Sequence, residues 1–177
     1  GVITPNMLTV LRFFITGGIL WLLTKASFSA HLYAIGLFVI AVVTDFLDGY
    51  IARKYNLISN FGKIADPIAD KFLILGLFIA FAQFDLYHVT WIIPIIAREI
   101  IVTVLRLILL FQGKVIAAEK LGKYKVAFQV GCLCLSWSYL LVREFGFRTV
   151  VYNYAEQFQL AMYVTLFVSI ILTVYSG

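Results

Sequence analysis

Residues 32–72 read LYAIGLFVIAVVTDFLDGYIARKYNLISNFGKIADPIADKF. Two features of this run fix the kind of chain it belongs to. Its opening, LYAIGLFVIAVV, carries no charge and no alternation of apolar with polar residues. A transmembrane β-strand shows a period of two, so an unbroken apolar run argues for a helix instead. In hydrocarbon a helix also satisfies its own backbone polar groups. The second feature follows at once: Asp45, Asp48, Asp66 and Asp70 enter a chain that has only nine acidic residues.

The surrounding sequence continues the first feature. The chain has 177 residues, 63% hydrophobic and 13% charged, against roughly 45–50% apolar and about 25% charged for an ordinary soluble domain. A soluble sphere of this size cannot hide so much apolar surface. Disordered chains are poor in aromatics and rich in charge, whereas this chain is 16% aromatic. Its net charge of +5 reflects scarce acids rather than a basic tract, which argues against a nucleic-acid partner. The expectation is an all-α integral membrane protein with six transmembrane helices.

A span needs about 20 apolar residues, and six runs qualify: 8–23, interrupted only by Arg12, then 31–51, 66–84, 89–111, 124–142 and 158–175. The connections are too short for a soluble insert, so residues 1–177 are expected to form a single transmembrane domain. The sequence shows no repeat, low-complexity tract, heptad seam or signal-peptide pattern, and Gly1 in place of Met suggests a processed start. Basic residues in short loops set orientation. Arg53, Lys54 and Lys63 fall between the second and third spans, and Lys114, Lys120 and Lys123 between the fourth and fifth. Both loops, and with six spans both termini, are therefore predicted to be cytoplasmic.

The aspartates fall at the ends of two predicted spans. Asp45 and Asp48 are spaced i,i+3, and Asp66 and Asp70 i,i+4, so each pair shares a helical face. A carboxylate in the apolar region costs about 2.5–3.5 kcal/mol on insertion scales. Three arrangements relieve clustered anions: raised pKa values, pairing with Arg53, Lys63 or Lys71, or divalent metal. Carboxylates without Cys or His suit hard cations such as Mg²⁺, Mn²⁺ or Ca²⁺. Pro67 follows Asp66 directly, and a helix start tolerates proline, so a helix is predicted to begin near Asp66. Cys132 and Cys134, two apart in an apolar run, read as small hydrophobes on different faces. His31 and His88 read as interfacial residues.

The order Asp45-x2-Asp48-Gly49-x2-Ala52-Arg53-x8-Gly62-x3-Asp66-x3-Asp70 resembles the signature of the CDP-alcohol phosphotransferases, with all eight fixed residues in place. Looser runs are similar to the bacterial phosphatidylglycerophosphate synthases, a branch of that family. They are Pro5-Asn6-x-Leu8-Thr9-x2-Arg12, Asp66-Pro67-x-Ala69-Asp70-Lys71, Ile96-Ala97-Arg98-Glu99 and Lys120-Leu121-Gly122-Lys123-x-Lys125. The resemblance implies transfer of a phosphatidyl group from CDP-diacylglycerol to sn-glycerol 3-phosphate, giving phosphatidylglycerol phosphate and CMP. It further implies a homodimer in the inner (cytoplasmic) membrane, with the active site facing the cytoplasm. Two divalent ions are implied, Mg or Mn, with Ca as a possible inhibitor. Asp45, Asp48, Asp66 and Asp70 would be their ligands, and Asp70 also the general base. Asn6, Thr9, Gly49, Ala52, Arg53 and Gly62 would hold the donor nucleotide.

An acceptor bearing a phosphate requires cations. Arg98 and Arg106, eight apart on the fourth span, are expected to share a face, and intramembrane arginines are functional candidates by default. Lys120, Lys123 and Lys125 stand at the start of the fifth span. Inositol phosphate, serine or phosphatidylglycerol are the alternative acceptors within the family. A divalent-cation transporter is the alternative from another class. A transporter would more naturally place its acids at the bilayer midplane in broken helices.

Overall fold

The computed structural model describes residues 5–55, 60–114, 120–145 and 148–175. They form α1 (Pro5–Leu23), α2 (Phe28–Tyr55), α3 (Asn60–Gln83), α4 (Val89–Phe111), α5 (Lys120–Phe145) and α6 (Arg148–Tyr175), and among the described residues there is no strand. Among the described residues, three stretches are long and apolar enough to cross a membrane: Phe28–Asp48, Tyr124–Phe145 and Asn153–Tyr175. A shorter apolar run, Met7–Leu23, fills α1. Phe14, Phe46, Phe111 and Leu160 lie exposed on the outer faces, as expected of a chain whose solvent is lipid. The architecture is that of an all-helical, multi-pass membrane protein.

Helix α4 coincides with the predicted span 89–111. Helix α3 does not: it begins at Asn60, and Pro67 lies inside it. Proline tolerates a helix start but does not require one, and near the N-terminal end it removes only one rung of the ladder. Helix α6 likewise begins at Arg148, ahead of the predicted residue 158. Its early polar residues Asn153, Glu156 and Gln157 limit the apolar run without ending the helix.

The chain forms two compact units, Gly1–Gly76 and Leu77–Gly177. In the first, α1 packs against α2. Small buried residues, Ala34 and Ala41 on α2 and Ala65 and Ala69 on α3, allow the close backbone approach typical of helices in lipid. Phe13 meets Phe72 with ring centroids 5.8 Å apart. Gly76 admits Leu20, whose Cδ1 would stand 3.3 Å from a Cβ at that position. His31, predicted to be interfacial, is instead buried at the start of α2.

In the second unit, α6 packs against both α5 and α4. Gln129 Nε2 donates to Thr173 Oγ1 at 3.3 Å, and Gln159 Nε2 donates to the Tyr139 hydroxyl at 3.0 Å. These cross-links fix α5 and α6 antiparallel. Ser136 and Ser169 return their hydroxyls to carbonyls one turn back on their own helices, at 2.7 and 2.8 Å, so neither is stranded in an apolar interior. Cys132 is buried and Cys134 exposed, in agreement with opposite faces.

The helix ends use compact local devices. After α3, Leu86 N–H donates to Phe81 O and Asp85 N–H to Ala82 O, with Asp85 in the left-handed region at φ 57°. After α4 the same pairing recurs, Lys114 to Leu109 and Gly113 to Leu110, with Gly113 at φ 75°. This is the Schellman ending, which satisfies carbonyls a helix terminus would leave open. His88 caps α4, its Nδ1 accepting from Thr90 N–H at 3.3 Å.

Candidate active site

The first unit builds its polar site from three helices. On α1, Thr9, Arg12 and Thr16 follow i, i+3, i+7, which lines one helical face, and all three are buried. Thr16 Oγ1 donates to the Arg12 carbonyl at 2.9 Å. From α2 the i,i+3 pair meets this face. Arg12 Nη1 stands 2.7 Å from Asp45 Oδ1, and Arg12 Nη2 stands 3.4 Å from Asp48 Oδ2. From α3, Asp66 accepts a hydrogen bond from Thr9 Oγ1. One turn further on, Asp70 lies 3.7 Å from Lys71 Nζ. Asp45 feels the charges of both Asp66 and Asp70, and Asp48 those of Asp66 and Asp45. Asp45, Asp48 and Asp66 are thus held from α1 by a guanidinium and a hydroxyl, while Asp70 pairs with Lys71 on α3 itself.

The donor set fits a hard divalent cation. It consists of carboxylate oxygens without thiol or imidazole, and Arg12 and Lys71 supply two positive charges against four negative ones. Among the described residues, no group of three or more His, Cys, Asp or Glu is placed to hold a metal ion. Gly62 is buried on α3, a turn before Asp66. Asn6 lies on α1, and Gly49, Ala52 and Arg53 on α2, with side chains outside the described set.

A second polar cluster lies in the other unit. Glu99 on α4 receives Lys125 Nζ of α5 at 2.6 Å and Arg98 Nη1 at 3.6 Å. Arg106, predicted to share a face with Arg98, is exposed on α4 and makes no ion pair among the described residues. Lys120 and Lys123 stand on α5 with side chains outside the described set.

The model of the CDP-alcohol phosphatidyltransferase family matches residues 2–175, nearly the whole chain. The chain belongs to this family. Several curated relatives carry the name CDP-diacylglycerol–glycerol-3-phosphate 3-phosphatidyltransferase. The one from Bacillus subtilis (strain 168) is 44% identical over 142 residues, 80% of this chain and 70% of the relative. That from Mycoplasma pneumoniae is 32% identical over 172 residues, covering 85% and 76%. That from Rickettsia typhi is 38% identical over 131 residues, 74% of each.

For a CDP-alcohol phosphatidyltransferase, three contacts stand out beyond the aspartate spacing. Arg12 reads in the sequence as an interruption of an apolar run and as the end of a family-like opening, and the structure adds that it bridges two signature carboxylates. Thr9, expected from the sequence as a nucleotide contact, donates its hydroxyl to Asp66. Glu99 reads as a neighbour of Arg98, yet it joins that arginine to a lysine of the next helix. An arginine inside an apolar run, at helical spacing from Thr9 and Thr16, was the signal available for the first. The others pair residues far apart in the chain, which no local pattern encodes.

Proposed function

We propose that this transferase moves a phosphatidyl group from CDP-diacylglycerol to sn-glycerol 3-phosphate, releasing CMP. The observation that carries the reading is the eight-residue signature, present in full across α2 and α3. It stands in a family member whose relatives, at up to 44% identity, bear that activity in their names. Residues 1–177 act as one transmembrane domain of six spans, both termini and the active site facing the cytoplasm, in the inner membrane and as a homodimer. The excess of Lys and Arg in the second and fourth connections supports this orientation.

In this reading Asp45, Asp48, Asp66 and Asp70 hold two divalent ions, Mg or Mn. When bound, these ions would neutralise the pyrophosphate and the leaving CMP. The protein's own groups do the rest. Arg12 and Thr9 fix the carboxylates in place. Gly49, Ala52, Arg53 and Gly62 hold the cytidine diphosphate, with Asn6 and Thr9 on α1. Asp70 accepts the proton of the acceptor hydroxyl as that oxygen attacks phosphorus. Arg98, Lys120, Lys123 and Lys125 bind the acceptor phosphate, joined by Arg106.

The test is direct. Purified full chain is given CDP-diacylglycerol and a panel of acceptors: glycerol 3-phosphate, inositol phosphate, serine and phosphatidylglycerol. CMP release is scored with Mg²⁺, with Mn²⁺ and with EDTA. Release confined to glycerol 3-phosphate and abolished by EDTA is expected. Preference for another acceptor overturns the acceptor assignment, and full turnover in EDTA overturns the two-metal mechanism.

A further inference from the structure

Between residues 13 and 44 the sequence holds no Asp, Glu or Arg and one Lys, Lys25. Lys25 lies in the turn between α1 and α2, just ahead of Phe28–Asp48, the stretch of α2 long and apolar enough to cross a membrane. That stretch ends on Asp48, so the turn and the aspartates stand at opposite ends of one span. From Phe28 to Asp45 the helix rises about 26 Å, close to the roughly 30 Å of a hydrocarbon core. The turn therefore belongs at the interface opposite the aspartates. There the Lys25 ammonium is held rather than loose: Nζ sits over the Trp21 ring, 4.8 Å from its centroid. The turn fixes this pairing, since Thr24 N–H donates to the Trp21 carbonyl at 3.1 Å and Lys25 N–H to the Leu22 carbonyl at 3.0 Å. Among the described residues no carboxylate pairs with Lys25. Ser27 and Ser29 share one hydrogen bond between their hydroxyls at 2.9 Å, so one of the two keeps a proton to donate.

We propose that the α1–α2 turn docks an anionic phospholipid in the leaflet opposite the aspartates, with the Lys25 ammonium, held over Trp21, against the lipid phosphate. Charge complementarity selects the occupant. The cation has no acid beside it in the sequence, so the anion that answers it comes from the surroundings, and at this depth the surroundings are headgroups. Exposed Trp21, Phe28 and Leu32 flank the turn and lie along acyl chains, a contact that a free phosphate ion could not use. Tryptophan is at home at headgroup level, and a basic residue near the surface attracts anionic lipid. A zwitterionic lipid brings its own ammonium beside its phosphate and gains less from Lys25. The proposal rests on α2 crossing the membrane and not on the transferase reading.

The experiment uses the purified full chain in detergent micelles doped with equal amounts of phosphatidylserine and phosphatidylcholine. Phosphatidylserine is the probe because it is neither a substrate nor a product of the proposed reaction. Native mass spectrometry counts the lipids that stay bound. The parent chain is expected to retain phosphatidylserine in preference to phosphatidylcholine. Lys25→Gln should lower that preference about fivefold, the scale of one basic residue at a lipid surface. Trp21→Leu should lower it about two- to threefold, the scale of an exposed cation–π contact, and Lys25→Arg should keep it. An unchanged preference in Lys25→Gln overturns the proposal, as does equal retention of the two lipids by the parent chain. Displacement of the lipid by excess inorganic phosphate would make the turn a general anion site and overturns the lipid assignment. Loss of a dimer in Lys25→Gln with lipid retention unaltered would give the surface to a second copy instead, and also overturns it. No turnover enters the measurement, so its failure leaves the transferase reading standing, and a different acceptor leaves this proposal standing.

Discussion

Arg12→Met tests whether the first unit depends on its buried guanidinium. Methionine keeps the unbranched apolar stem and removes the charge. At the observed 2.7 and 3.4 Å, unit charges attract by roughly 6 and 5 kcal/mol at an effective dielectric of about 20. These are gross values, and solvent access decides what survives. The Asp45 side chain is 49% exposed, so water replaces most of its contact and its loss costs about 0.5–1 kcal/mol. Asp48 is 11% exposed, and stripping a partner from a nearly buried carboxylate costs about 3 kcal/mol or slightly more. Release of the arginine's own desolvation penalty offsets part of this, leaving a net loss of about 3 kcal/mol. For a chain of this size that lowers the unfolding midpoint by roughly 6–12 °C. The assay is thermal unfolding of detergent-solubilised protein in EDTA, followed by tryptophan fluorescence. Asp48→Asn added to Arg12→Met should recover most of the loss, since the stranded charge is then gone. A midpoint for Arg12→Met within about 2 °C of the parent would refute the argument. So would a double variant no more stable than the single one.

Two further predictions address separate parts of the molecule. Asp70→Asn should lower turnover about a hundredfold or more, the typical scale of general base catalysis. Mn²⁺ binding, measured by electron paramagnetic resonance, should persist, and retained turnover would remove Asp70 as the base. Gly113→Ala forces a Cβ onto a backbone at φ 75° and should cost about 1 kcal/mol. At Gly36, where a Cβ meets nothing within 4 Å, the same change should be neutral or gain up to about 1 kcal/mol. Equal midpoints for the two glycine variants would contradict this.

The six helices were legible because each carries an apolar run bounded by polar connections, and hydrocarbon length sets the size of such runs. Their ends were less legible. Pro67 suggested a start that α3 passes through, and the polar opening of α6 concealed ten residues of helix. In both places helical backbone continues beyond the apolar segment, and composition reports only the latter. The aspartate set was legible from spacing, since i,i+3 and i,i+4 pairs are local. Its counter-ion was not, because Arg12 and Asp48 are 36 positions apart. The same holds for Glu99 and Lys125, which meet only through the packing of two helices.

The Arg12 bridge has a consequence for biosynthesis. At elongation rates of about 5–20 residues per second, Asp48 leaves the ribosome some 2–7 s after Arg12. During that interval α1 carries a lone guanidinium that hydrocarbon disfavours, and α2 would later carry two lone carboxylates. Each helix is a poor passenger by itself, and pairing Arg12 with the two carboxylates leaves a single net charge among the three groups. The first helix is thus best retained at the insertion machinery until the second arrives, so that both partition as a hairpin. Charge-removing changes at Asp45 or Asp48 would then reduce the amount of protein that reaches the membrane, an effect separable from turnover by normalising activity to the inserted chain.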